Sequence, residues 1–168
     1  AGSGRVKAMV EYETPNTNKP LHIGHLRNAA IGMSISNILE FCGNDVIRAD
    51  LFNDRGVHIC KSMYALKYLS TKKSPDKKPD HFVGDLYVLF NKMAKENPEL
   101  ENKVQEMLQK WESGDKEVLS LWKKIDGWAT EGIEETDKIF GNKFDVYFRE
   151  SEFYKKAKPI IEDGLKRG

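Results

Sequence analysis

The stretch from Val6 to Leu51 constrains the chain more than any other, because it alternates element types in an order that few folds accept. Val6 to Tyr12 is rich in valine and tyrosine and reads as a strand. Thr14-Pro15-Asn16-Thr17-Asn18-Lys19-Pro20 reads as a loop, since its prolines and asparagines oppose regular pairing. From about Gly24, Leu26, Ala29, Ala30, Met33, Ile38 and Phe41 recur mainly at three- and four-residue spacings, the pattern of a helix, and Gly43 with Asn44 supplies its stop. Val46, Ile47, Ala49 and Leu51 mark a second strand. Strand, loop, helix, turn and strand make a βαβ unit, so a parallel, Rossmann-like sheet is expected.

The middle of the chain has a different character. Helical spacing resumes through Cys60, Met63, Tyr64 and Leu66, and Ser70 to Asp80 reads as a polar, lysine-rich loop. Helices are expected again from near Val83, from Asn97-Pro98 with Glu99 and Glu101 favouring the helix start, and around Val118, Leu121, Trp122, Ile125, Trp128 and Ala129. The tryptophans at helical spacing are expected to pack a core. A short strand, Phe144 to Phe148, and a last helix from Glu152 return to the first pattern. The expected fold class is therefore α/β: a Rossmann-like parallel sheet over 1–70, a helical insertion over 71–143, and a return to the sheet domain over 144–168. Ala1-Gly2-Ser3-Gly4 reads as a linker end or cloning remnant and is left out of the fold.

The chemistry concentrates at His22-Ile23-Gly24-His25, where a strand and loop give way to a helix. Free backbone N–H groups and the positive end of the helix dipole make such a junction a natural phosphate site. Glycine at 24 lets a flat ring approach the backbone, and two imidazoles three residues apart lie on one side of the helix start. Both can donate hydrogen bonds to phosphate oxygens as charge builds there, which suits attack by a carboxylate on an α-phosphate with pyrophosphate leaving. Two rival readings remain for the residues alone: half of a zinc site, although His58 and His81 lie in unrelated elements, or two surface histidines without a role. Neither Gly-x-Gly-x-x-Gly nor Gly-x-x-x-x-Gly-Lys-[Ser/Thr] occurs, so no competing nucleotide loop is present.

His-x-Gly-His in this position is the signature of class I aminoacyl-tRNA synthetases and related nucleotidyltransferases. The longer stretch Val10-Glu11-Tyr12-Glu13-Thr14-Pro15-Asn16-Thr17-Asn18-Lys19-Pro20-Leu21-His22-Ile23-Gly24-His25-Leu26-Arg27-Asn28 resembles the arginyl-tRNA synthetase family in particular. So does Asp45-Val46-Ile47-Arg48 leading to Asn53-Asp54-Arg55-Gly56, with Arg55 standing where that family commonly has an aromatic residue. The resemblance implies that His22 and His25 contact the phosphates of ATP, that Gly24 lies under the adenine, and that Lys19 reaches a phosphate. It implies further that Glu11, Thr14, Asn16 and Asp54 line the amino-acid pocket. The implied substrates are L-arginine, ATP with Mg²⁺ and tRNA(Arg), with no resident cofactor or structural metal.

The family's second phosphate-binding motif, resembling Lys-Met-Ser-Lys-Ser, does not occur, so the expectation is a fragment holding the ATP-binding half of a catalytic core, inactive alone. Alternatives are a small nucleotidyltransferase of the cytidylyltransferase kind, or a non-catalytic module in which loop 70–80 binds RNA or protein. A net charge of +1 makes no global case for nucleic acid, and DNA is not expected as a partner. Apolar runs are far too short to span a bilayer, and Cys42 and Cys60 lack C-x-x-C spacing, which fits reduced thiols in a cytoplasmic protein.

Overall fold

The computed structural model describes residues 5–168, so the reading of the first four residues lies outside what is described. Three strands form one parallel sheet in the order β1 (Lys7–Glu11), β2 (Asp45–Phe52), β3 (Val146–Arg149). Lys7 pairs with Asp45 and Glu11 with Ala49, while Ala49 also opens the β2–β3 register against Val146. Beyond β1, Asn16 bridges Asn53, so the loop expected over 14–20 continues alongside the end of β2. β1 and β2 are joined by α1 (Ile23–Phe41), completing the expected βαβ unit. The stop falls where it was expected. Asn44 N–H bonds Leu39 O and Gly43 N–H bonds Glu40 O, a closing turn that needs the left-handed φ of +85° at Gly43.

Between β2 and β3 lies a helical body: α2 (Val57–Tyr64), a π-helical turn (Ala65–Leu69), α3 (Pro79–Glu96), α4 (Glu99–Glu112) and α5 (Lys116–Phe140). The main apolar core sits here, built from Ile59, Met63, Phe82, Leu86, Phe90, Val104, Trp111 and Ile125 among others. Trp111 meets the ring of Trp122 edge-on at 5.4 Å, and Phe82 meets Trp128 at 5.6 Å, so these tryptophans serve packing. α2 contributes Ile59, Cys60 and Met63 to the same core as α3–α5, although its sequence precedes the expected start of the insertion at 71. The loop is also shorter than expected. Pro79 and Asp80 already belong to α3, because Asp80 is buried and paired with Lys78 at 2.8 Å rather than solvated. The last strand and helix begin at Val146 and Glu150, each two residues from their expected starts, and the helix, α6, runs to Arg167.

The sheet side is thinly covered. α1 rests on the strands through small residues, Ala29, Gly32 and Ser36, while Ile31, Ile35 and Ile38 stay exposed and Phe41 is 93% exposed. The helical body therefore stabilises itself and flanks the sheet without covering this face.

Candidate active site

The junction after β1 is organised by its own histidines. His22 is the N-cap of α1, and its Nδ1 accepts the Gly24 N–H at 3.1 Å. His25 reciprocates: its Nδ1 accepts the His22 N–H at 3.1 Å. This is a capping box with imidazoles in place of the usual hydroxyl and carboxylate. The rings stack with centroids 3.9 Å apart. A neutral imidazole that accepts at Nδ1 carries its hydrogen on Nε2, so both rings keep an Nε2–H donor for another partner. His25 is buried, and burial, aided by His22 and Lys19, pushes its pKa down to about 4, leaving it neutral at pH 7. A Cβ at Gly24 would stand 2.9 Å from His22 Cε1 and 3.0 Å from Nδ1, so glycine is needed for the His22 ring to fold over the helix start.

The loop before the histidines is held from two sides. Gly84 of α3 lies so close that a Cβ would meet Pro20 Cδ at 2.9 Å, which seats the Lys19–Pro20 corner on the helical body. Below, Thr14 N–H donates to Asp50 Oδ1 at 2.9 Å, and Asn53 N–H donates to Pro15 O at 2.9 Å. Glu13 and Thr14 take left-handed φ values of +77° and +56°, and each such non-glycine residue costs about 1–2 kcal/mol. Those bonds hold the turn in place. Asp50 is fully buried at the carboxyl end of β2; burial pushes its pKa up to about 7 against the opposing hydrogen bonds from Thr14 and Leu51.

The residues expected at the site divide into groups. His22, Gly24, His25 and Lys19 converge on the start of α1, with Lys19 close enough to depress His25. Glu11 and Thr14 line one shallow hollow of about 250 Å³ with Asn28 and Ile31. Glu11 also borders a cleft of about 560 Å³ with Leu51, Arg55, Phe148, Glu150 and Tyr154. Asn16 lines neither hollow and is bridged to Asn53. Asp54 stands apart from both hollows. It is fully buried, its two oxygens accept Ser151 N–H at 2.8 Å and Ser151 Oγ–H at 2.7 Å, and its carbonyl accepts Trp122 Nε1–H at 2.6 Å. Its place is to tie the end of β2 to α6 and to the helical body. Arg55 does similar work, pairing with Glu112 at 2.6 Å and lying 4.0 Å over the Tyr154 ring.

Asp50 and Glu13 were missed by sequence reasoning. An acid set among Ala49, Leu51 and Phe52 was the available signal for Asp50. The lysines of the polar loop are largely engaged: Lys72 with Asp76, Lys77 with Asp85, Lys73 on Leu66 O at 2.7 Å, and Lys78 on Asp80 and Thr136. They cap and clamp the helical body.

A parallel sheet with His-x-Gly-His at its first strand–helix junction is an α/β, Rossmann-like domain. The family model described as tRNA synthetases class I (R), catalytic domain, matches residues 2–168, and the chain belongs to that family. It is 53% identical over 167 residues to an arginine–tRNA ligase of Treponema denticola and 49% identical over 165 residues to one of Borreliella afzelii. Each match covers 96% of this chain and 28% of the relative, so the chain spans about 28% of the length of these curated relatives. Among solved structures it is similar to Thermus thermophilus arginyl-tRNA synthetase, with a TM-score of 0.77 and 26% identity over 95% of this chain and 27% of that one. The Plasmodium falciparum arginyl-tRNA synthetase gives 0.74 and 25% over 98% of this chain and 27% of that one. The fold class expected from the sequence is that of the family.

Proposed function

We propose that the chain supplies the ATP-binding half of the catalytic core of a ligase that joins arginine to tRNA(Arg). The observation that carries this reading is the pair of imidazoles whose Nδ1 atoms are both occupied by backbone N–H groups, leaving both Nε2–H groups as donors at a helix N-terminus. Arginine's carboxylate attacks the α-phosphorus of ATP, supplied with Mg²⁺; the bond to the bridging oxygen breaks and pyrophosphate leaves with its electron pair. The 2′- or 3′-hydroxyl of the terminal ribose of tRNA(Arg) then attacks the arginyl carbonyl carbon and loses its proton, and AMP leaves with the electron pair of the broken acyl–phosphate bond. No side chain need move a proton in the first step. His22, His25 and Lys19 meet charge as it builds on the phosphates, which is where fixed donors accelerate a reaction most. Gly24 leaves the His22 ring room to lie over the helix start, on the side where the adenine is placed. Glu11 and Asn16, with Thr14 through its carbonyl or hydroxyl because its N–H is taken by Asp50, hold the amino acid. Asp54, named with these residues from the sequence, is proposed instead to act through structure. The organisation 1–70, 71–143 and 144–168 stands as a proposal, with α2 packing into the helical body. Among the described residues no helix is long and apolar enough to cross a membrane; with tRNA as substrate, we place the protein in the cytoplasm, with neither membrane nor DNA as partner.

The test is arginine-dependent pyrophosphate exchange by the full-length enzyme. His22→Ala and His25→Ala should each lower kcat by about 10²–10³. Normal turnover with only a loss of folded protein would refute the catalytic assignment.

A further inference from the structure

Glu13 follows Tyr12 into a polar loop, where a carboxylate ordinarily turns to water. Its side chain is instead fully buried, against Asp137 and Asn142 at the end of α5. The left-handed Gly141, φ +78°, turns the chain so that Asn142 lies back against the helix. Asn142 Nδ2 reaches Glu13 Oε1 at 3.3 Å and Asp137 Oδ1 at 3.2 Å, so one amide group serves one oxygen of each carboxyl group. The other two oxygens, Glu13 Oε2 and Asp137 Oδ2, are buried and receive no hydrogen from any other group. Two ionised carboxylates so placed would repel and leave two buried acceptors empty. One proton between them removes both faults.

We propose that Glu13 and Asp137 share a single proton, Glu13 Oε2 donating to Asp137 Oδ2, and that this clamp holds the left-handed Glu13–Thr14 turn in position for the amino acid. The positioning half rests on the reading of Thr14 and Asn16 as amino-acid contacts. Glu13 is thus a positioning residue contributed by the loop, and Asp137 is its anchor on the helical body, far away in sequence.

The surroundings favour the protonated form. Burial first, then the charges of Asp137 and Asp50, push the Glu13 carboxyl well above its ordinary range, with the Asn142 hydrogen bond opposing. Asp137 is raised as well, by burial first and by Glu134, while hydrogen bonds from Asn142 and Glu13 and the charge of Lys78 pull the other way. Lys78 is itself bonded to Asp80. From the strand side the neighbours are Tyr12 and Tyr147, whose hydroxyls are also raised, with the charge of Arg48 opposing at Tyr12. Among the described residues no three or more His, Cys, Asp or Glu side chains are grouped to hold a metal ion.

A carboxyl group whose folded pKa exceeds its ordinary value binds its proton more tightly in the folded state. Its stabilisation is full below its ordinary value of about 4.5 and is lost as pH rises through the raised folded value. Glu13→Gln keeps the shape and backbone preference of glutamate and replaces the shared proton with an amide donor that does not titrate. In the full-length enzyme, thermal unfolding followed from about pH 5 to above pH 9 should show wild type losing stability relative to Glu13→Gln. Parallel curves for the two proteins would overturn the shared proton. Glu13→Ala should raise KM for arginine roughly tenfold with KM for ATP unchanged, and Glu13→Gln should restore it. Should Glu13→Ala prove insoluble, Asp137→Asn is expected to make the same pH dependence shallower, since burial alone then holds the Glu13 proton, and a wild-type slope there would also count against the clamp. An unchanged KM for arginine in Glu13→Ala, beside a raised one in Asn16→Ala, would overturn the positioning role. If Asn16→Ala also moves neither KM, the amino-acid site is misassigned and the positioning half falls with it, while the pH comparison still decides the proton.

Discussion

Gly24→Ala separates what the histidine signature does for folding from what it does for chemistry. The added Cβ would stand 2.9 Å from His22 Cε1 and 3.0 Å from Nδ1, closer than side chains tolerate. His22 is exposed, so its ring has room to swing outward. That movement breaks the 3.1 Å bond from Gly24 N–H and the 3.9 Å stack on His25. Losing a cap costs about 1 kcal/mol, and replacing glycine by alanine within a helix returns up to about 1 kcal/mol. Stability should therefore change by less than about 1 kcal/mol. Catalysis has no such compensation. Displacing a fixed donor from a developing oxyanion costs about 2.7–4 kcal/mol, a fall of about 10²–10³ in kcat. The assay is arginine-dependent pyrophosphate exchange beside thermal unfolding in the full-length enzyme. His22→Ala and the Gly24→Ala, His22→Ala double variant should then match in kcat, because the first change already removes what the second would. Additive losses, or a Gly24→Ala enzyme with wild-type kcat, would refute the account of Gly24.

Three further outcomes are expected. The pKa of His25 is held at about 4, so the folded state refuses a proton that the unfolded chain accepts near its ordinary 6.5; stability is lost as pH falls between those values, and His25→Gln should remove that acid slope in unfolding melts. Asp54→Asn should lower the melting temperature, because the Ser151 N–H and hydroxyl lose a charged acceptor at 2.7–2.8 Å, while KM for arginine stays within about twofold; a selective rise in KM would return Asp54 to the pocket. Asn16→Ala should raise KM for arginine at least about fivefold more than KM for ATP, measured by exchange at varied concentrations of each, and equal effects would show that Asn16 serves another end of the site.

What could be read from residues alone was whatever repeats locally. β1, α1 and β2 follow from valine-rich runs, helical spacing and Gly43, and they occur within a residue or two of expectation. The stripes of α4 and α5 are equally local: Leu100, Val104, Met107 and Trp111 are buried as their spacing implies. What escaped depends on distant partners. Lys78, Pro79 and Asp80 look like loop until Thr136 and Gly132 of α5 meet Lys78. Arg149, the last residue of β3, pairs with Phe52 in the sheet and with Asp126 at 2.7 Å, 23 residues earlier. Glu13 reads as a solvated acid, and nothing near it in sequence announces Asp137 or a left-handed backbone at a residue that is not glycine. At the site, the placing of the histidines and glycine at a helix start was legible because their hydrogen bonds join residues two and three apart. Their support, Asp50 beneath the turn and Gly84 behind Pro20, comes from other elements and needed the fold.

Nδ1 of His22 builds the helix start, and its Nε2–H is proposed to serve the phosphates. His22→Asn divides the two, since asparagine is a good N-cap whose oxygen can replace Nδ1 but whose side chain does not reach the place of Nε2. Single-turnover formation of arginyl-adenylate by the full-length enzyme is the decisive measurement. The predicted result is a stably folded enzyme whose rate falls by about 10²–10³. A His22→Asn enzyme that forms adenylate at nearly the wild-type rate would contradict the account.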